Sequence, residues 1–209
     1  MCRVVASFGL LLALCSIARA QNDEVDKLAP ARFLVASRDL GDSNFAETVV
    51  LLIDYSDEHG AMGLVINRRS DVPLSRVFED FQEAKGRSDP IYLGGPVELG
   101  RVMALLKTPA KPGDAKRVFG DVYLISDKDL LQKTLAAADA STFHAYLGYA
   151  GWQPGQLENE VEGGAWHVVA ADAAEVFHSD PETVWPRLIR STETRIALAA
   201  PGRPRPATR

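Results

Sequence analysis

The run Thr48-Val49-Val50-Leu51-Leu52-Ile53 constrains the fold more than any other segment, because it offers water no polar side. Six consecutive β-branched or aliphatic residues are too few for a typical helix and read as a strand covered on both faces. Asp54 to Gly60 is polar and turn-forming, and Met62 to Asn67 is apolar again, so the two strands form a hairpin. A sheet with cover on both sides therefore lies at the centre of the chain.

The remaining segments fit that sheet. Phe33-Leu34-Val35-Ala36 reads as a strand, as do Ile91 to Leu93, Val102 to Leu106, Val118 to Ile125, Phe143 to Tyr149 and Ala165 to Ala170. Leu74, Val77, Phe78 and Phe81 recur at helical spacing behind Pro73, which predicts an amphipathic helix on the sheet. Ser126 and Asp129 resemble a capping box and open a helix through Ala138, with Leu130, Leu131, Thr134 and Leu135 on its apolar face. A short helix is expected at Gln156 to Val161. A last helix begins at Asp180 and buries Val184, Trp185 and Leu188, with a kink at Pro186. Strands in hairpin-like pairs separated by modest helices predict an α+β fold with a strongly twisted, mostly antiparallel sheet flanked by helices.

At 209 residues, 46% hydrophobic and 24% charged, the chain can bury a core without a disulfide or metal. We expect one domain over residues 31–200, preceded by a polar linker at 21–30 and followed by a disordered tail at 201–209.

Residues 1–20 have a different character. Arg3 gives a positive start, Val4 to Leu14 is almost wholly apolar, and Ala18-Arg19-Ala20 has the small-x-small pattern that precedes signal cleavage, here before Gln21. The reading is a signal peptide and a periplasmic mature protein with no stable membrane span, since the apolar run falls short of about 20 residues. A retained anchor and a lipoprotein at Cys15 are the weaker alternatives. A cytoplasmic form would need a non-methionine start near Val25 or Leu28, because the next methionine is Met62. Cys2 and Cys15 both fall in this segment, which excludes thiol chemistry from a mature chain. Arg3 and Arg19 are its only charges, so their removal takes the net charge from −5 to about −7. That balance disfavours nucleic acid as a partner.

Three segments hold more glycine, proline and amide than a plain core needs: Gly60-Ala61-Met62-Gly63-Leu64-Val65-Ile66-Asn67, Tyr92-Leu93-Gly94-Gly95-Pro96-Val97, and Gly148-Tyr149-Ala150-Gly151-Trp152-Gln153-Pro154-Gly155-Gln156-Leu157-Glu158. With Leu40-Gly41-Asp42-Ser43-Asn44-Phe45-Ala46-Glu47-Thr48-Val49-Val50 they resemble the YqgE/AlgH family from about Phe33 to about Leu188. The resemblance implies a compact α+β fold with a barrel-like sheet and a molecular activity that is not established. It also implies an association with regulation of exopolysaccharide synthesis. The chain departs from the pattern in its export signal and in Gln153, where the family commonly has glycine.

The expected function is a binding or regulatory module for a small molecule or protein. Its cleft would combine Asn67, Gly94, Gly95, Tyr149, Gly151, Trp152, Gln156 and Glu158. Each residue also has a plainer reading. Gly94-Gly95-Pro96 serves as a tight turn or as an anion nest; Trp152 as core or as a ligand platform; Asn67 as a partner for a loop backbone. The first turn after Gly155 offers free amides to a ligand or to an internal cap. Glu158, Glu160 and Glu162 read as a solvated helix. His59, His144, His167 and His178 have no metal-ligand spacing, although His144 and His167 could share a sheet face. No nucleophile motif is present and nothing calls for a cofactor, so no catalytic residue is assigned. An enzyme of unrecognised chemistry in the same cleft, and a purely structural interaction protein, are the alternative readings.

Overall fold

The computed structural model describes residues 24–199; the expected signal peptide and the expected tail lie outside the described residues. Ten strands are described: β1 (Arg32–Ala36), β2 (Val49–Ser56), β3 (Gly60–Val65), β4 (Arg69–Pro73), β5 (Pro90–Leu93), β6 (Val97–Lys107), β7 (Lys116–Phe119), β8 (Val122–Ile125), β9 (Phe143–Trp152) and β10 (Trp166–Ala170). Five α-helices accompany them: α1 (Leu74–Val77), α2 (Lys128–Leu135), α3 (Gln156–Glu162), α4 (Ala173–Val176) and α5 (Val184–Ala199). The sheet runs β10-β1-β2-β3-β9-β6-β8-β7, with β5 beside β9 and β4 beside β5. Every pairing is antiparallel except β5 with β9. The result is the expected α+β fold, a curled antiparallel half-barrel.

All five apolar residues at the start of β2 are fully buried, as two-sided cover requires. They belong to a first core that gathers β1, β2, β3, Trp152, Trp166 and the apolar stripe of α5. A second, smaller core lies under α1 and α2, on the face of β5, β6, β8 and β9 that presents Ile91, Ala104, Leu106, Tyr123, Ile125, Phe143 and Ala145. Packing also reaches back to the segment before Ala31. Leu28 is buried and Glu24 accepts the amide of Val168 at 2.6 Å.

The structure differs from expectation at several places, among them the unforeseen α4 and an α2 that ends at Leu135 and not at Ala138. The helix predicted around Phe78 is one turn, α1, followed by a 3-10 turn at Gln82–Ala84; Leu74, Phe78 and Phe81 are buried all the same, so the spacing reported burial rather than a continuous helix. Polar β4, which lacks alternation, was not foreseen; it is an edge strand on β5. The segment 118–125 is a hairpin, because Gly120 takes a left-handed φ of 48° and turns β7 into β8. The cap of α2 is Asp127, whose carboxylate accepts the Leu130 amide, and not Ser126. Finally, the last helix starts at Val184 after a 3-10 turn at Pro181–Thr183, so Pro186 stands in its first turn, where an amide has no helical partner and proline forces no kink.

Candidate functional site

The glycine segments meet where β9 exchanges one neighbour for another. Its first part lies beside β5, through Tyr92 with Tyr146 and Leu93 with Leu147, and its last part beside β3, through Ala61 with Trp152. Gly94 bridges the seam: its amide donates to the Leu147 carbonyl at 2.8 Å and its carbonyl accepts the Val65 amide at 2.8 Å. A Cβ on Gly94 would stand 2.4 Å from the Gly148 carbonyl oxygen, and one on Gly95 2.2 Å from the Tyr149 backbone. The pair is glycine because two backbones cross there with no room for a side chain. The Gly94 amide is thus already taken by β9.

Trp152 is 6% exposed and belongs to the first core. Its ring stacks on Phe45 at 6.0 Å and meets Trp166 edge-on at 6.1 Å. Both indole N–H groups donate to one oxygen of Glu160, at 2.9 Å from Trp152 and 2.8 Å from Trp166, while Gln156 Nε2 donates to the other at 2.9 Å. Glu160 is thus a half-buried acceptor that lets two tryptophans enter a core with their polar atoms satisfied, and the reading of a solvated acidic helix fails for it. Gln156 Oε1 also accepts the Gln153 amide at 3.1 Å, closing the turn into α3 from within.

The other expected residues are dispersed. Asn67 is buried, with Oδ1 accepting the Val49 amide at 2.8 Å and Nδ2 donating to the Glu47 carbonyl at 2.9 Å, which is the loop bond anticipated for it. Six residues separate it from Ala61, the partner of Trp152, so roughly 20 Å of extended chain lies between Asn67 and Trp152. Glu158 accepts from the Tyr55 hydroxyl at 2.7 Å, with Asp57 at 3.0 Å on the other side. Burial first, then these two carboxylates, push the Tyr55 phenol well above its ordinary range. Gly151 is exposed on β9. The eight residues do not form one cleft.

His144 and His167 lie on β9 and β10, with three strands between them, and share no site. His144 is stacked on Tyr92 at 4.4 Å and flanked by Phe177 at 5.1 Å. Burial lowers its pKa to about 4, against the opposing pull of the Ala140 and Val176 carbonyls and the Asp89 charge. Among the described residues, no group of three or more His, Cys, Asp or Glu side chains is placed to hold a metal ion.

A concave surface exists elsewhere. Val77, Phe78 and Phe81, together with Val102 of β6 and Leu131 of α2, line a groove of about 370 Å³, with Asp80, Arg101, Ser126 and Lys128 around it. Phe78 and Phe81 are stacked at 5.2 Å, and the Lys128 ammonium lies over the Phe81 ring at 5.6 Å. Arg101 sits over the Tyr149 ring at 5.7 Å, while Tyr149 itself packs against the first core and does not line the groove. Leu93, Leu147 and Val102 are register partners across β5, β9 and β6, so their side chains share one face. That face is the second core's, and α1 and α2 leave its end uncovered: Leu147 and Val102 are half-buried and Leu93 is 42% exposed. Sequence patterning could not separate these residues from ordinary core, because the groove lies between elements distant along the chain.

A family model described as AlgH-like matches residues 33–197. The chain belongs to the AlgH-like family. It is 36% identical over 183 residues to a UPF0301 protein of Streptomyces avermitilis, covering 85% of this chain and 93% of that one. A UPF0301 protein of Azoarcus is 38% identical over 154 residues, covering 72% and 81%. The solution structure of the AlgH protein from Pseudomonas aeruginosa superposes with a TM-score of 0.65 at 30% identity, over 84% of this chain and 95% of that one. A crystal structure of a Corynebacterium diphtheriae protein gives 0.68 at 25% identity, over 78% and 87%. The AlgH-like resemblance read from the four motifs is thereby established, and with it the half-barrel.

Proposed function

We propose that this AlgH-like protein is a binding module whose ligand or partner docks in the groove between α1, α2 and β6. The carrying observation is the concavity beside the second core, where Val102 of β6 meets Val77, Phe78, Phe81 and Leu131 under a rim of charged side chains. Its size falls in the range of small-molecule pockets, and apolar lining with a few polar groups at the rim is their usual composition. In the proposal the glycine and tryptophan motifs build the sheet seam and leave binding to the groove. Export to the periplasm, inferred from residues 1–20, would make any effect on exopolysaccharide synthesis indirect, through what the groove senses, and not through contact with DNA.

The test is an NMR titration of residues 24–199 within the full mature chain with a neutral apolar dye such as Nile red. Shifts centred on Val77, Phe81, Val102 and Leu131 are expected. Shifts centred on Trp152 and Gln156, or none at all, would refute the proposal.

A further inference from the structure

We infer that the groove takes a small amphipathic anion, an apolar body carrying one carboxylate or sulfonate. The inference rests on the groove being the binding site proposed above, and adds the charge and size of the occupant.

Size follows from the volume. About 370 Å³ lies at the lower end of the range of small-molecule pockets, which suits a small occupant. Charge follows from the rim. This is a net acidic chain, yet two cations and one carboxylate face the groove: Arg101 and Lys128 against Asp80. Lys128 pairs with no carboxylate among the described residues and is drawn over Phe81, so its ammonium stands above the apolar floor. Arg101 meets Glu98 at 3.3 Å, and both side chains are about half exposed, which leaves the guanidinium available for exchange onto a better-placed acceptor. Its guanidinium lies over the Tyr149 ring at 5.7 Å.

The Ser126 hydroxyl adds a neutral donor next to Lys128. The Leu130 amide in the first turn of α2 is already taken by the Asp127 carboxylate. A ligand with its apolar body on Phe78, Phe81 and Leu131 would thus set its charged end between Arg101 and Lys128. Charge-assisted hydrogen bonds made there exceed neutral ones.

Calorimetric titration of the mature protein with octanoate and with octanol separates the two levels of the argument. The expected result is octanoate binding about tenfold more tightly than octanol, the preference falling to under about twofold in Lys128→Ala/Arg101→Ala. The preference should also weaken as salt is raised. Equal affinity for the two molecules would overturn the anion assignment while leaving an apolar groove standing. Absence of binding by either would overturn the groove itself. Octanoate binding that survives unchanged in Val102→Asp, with melting as in the wild type, would place the anion elsewhere and overturn the inference.

Discussion

The two cores of this half-barrel end in opposite ways. The first is sealed at its edge by Phe45, Trp152 and Trp166, with both indoles satisfied by Glu160. The second runs out from beneath α1 and α2 and leaves Val102 at an open groove, with Leu93 exposed further along the same face. A core that closes on its own polar atoms has little left to offer a ligand, whereas an apolar face that loses its cover gains by acquiring one. Trp152, Gln156 and Glu160 of this chain lie at the sealed end.

The largest effect should come from breaking the seal. Trp152→Ala removes a buried indole and strands part of Glu160, and should cost about 3–5 kcal/mol of stability in denaturant unfolding. A loss under about 1 kcal/mol would return Trp152 to the surface.

A comparable change should follow from pH. His144 is held neutral by burial, with its folded pKa near 4 against an ordinary 6.5. Its contribution is present above pH 6.5 and is lost as pH falls from there through 4, on the order of 3 kcal/mol in all. Asp89 opposes the shift and Tyr92 stays neutral across this window. Unfolding followed between pH 7 and 4 should show the slope in the wild type and a shallower one in His144→Phe; identical slopes would contradict the assignment.

Smaller still is Asn67→Ala, which leaves the buried Val49 amide and the Glu47 carbonyl without their partners and should cost about 1–3 kcal/mol. Dye binding should be unchanged in that variant, because Asn67 faces the loop after Glu47 and not the groove. The least effect is expected for Lys128→Ala, within about 0.5 kcal/mol in stability, since its ammonium bonds to no carboxylate among the described residues.

Legibility in the sequence divides along the same line. The buried run of β2, the hairpin to β3, α3 and β10 were readable because local patterning alone decides them. Gly94 and Gly95 advertised a special backbone, but a tight turn, an anion nest and a crossing of two strands all ask for glycine, and only the seam between β5, β9 and β3 distinguishes them. Glu160 looked like its exposed neighbours because the indoles that reach it come from β9 and β10. The groove was invisible for a different reason. Phe78, Phe81, Val102 and Leu131 have the pattern of core residues, and whether a core residue is covered depends on how far a helix extends over it. Here the expected helix around Phe78 stops after one turn, and the groove opens beside it.

The most direct test of the contrast is to measure melting and Nile red binding together in Val102→Asp and Trp152→Ala. Val102→Asp should melt within about 4 °C of the wild type, as a loss near 1 kcal/mol implies for a domain of this size, and should not bind the dye. Trp152→Ala should melt far lower yet bind the dye normally while folded. The reverse pattern, with dye binding lost in folded Trp152→Ala and retained in Val102→Asp, would show that the ligand surface lies at the tryptophan seal.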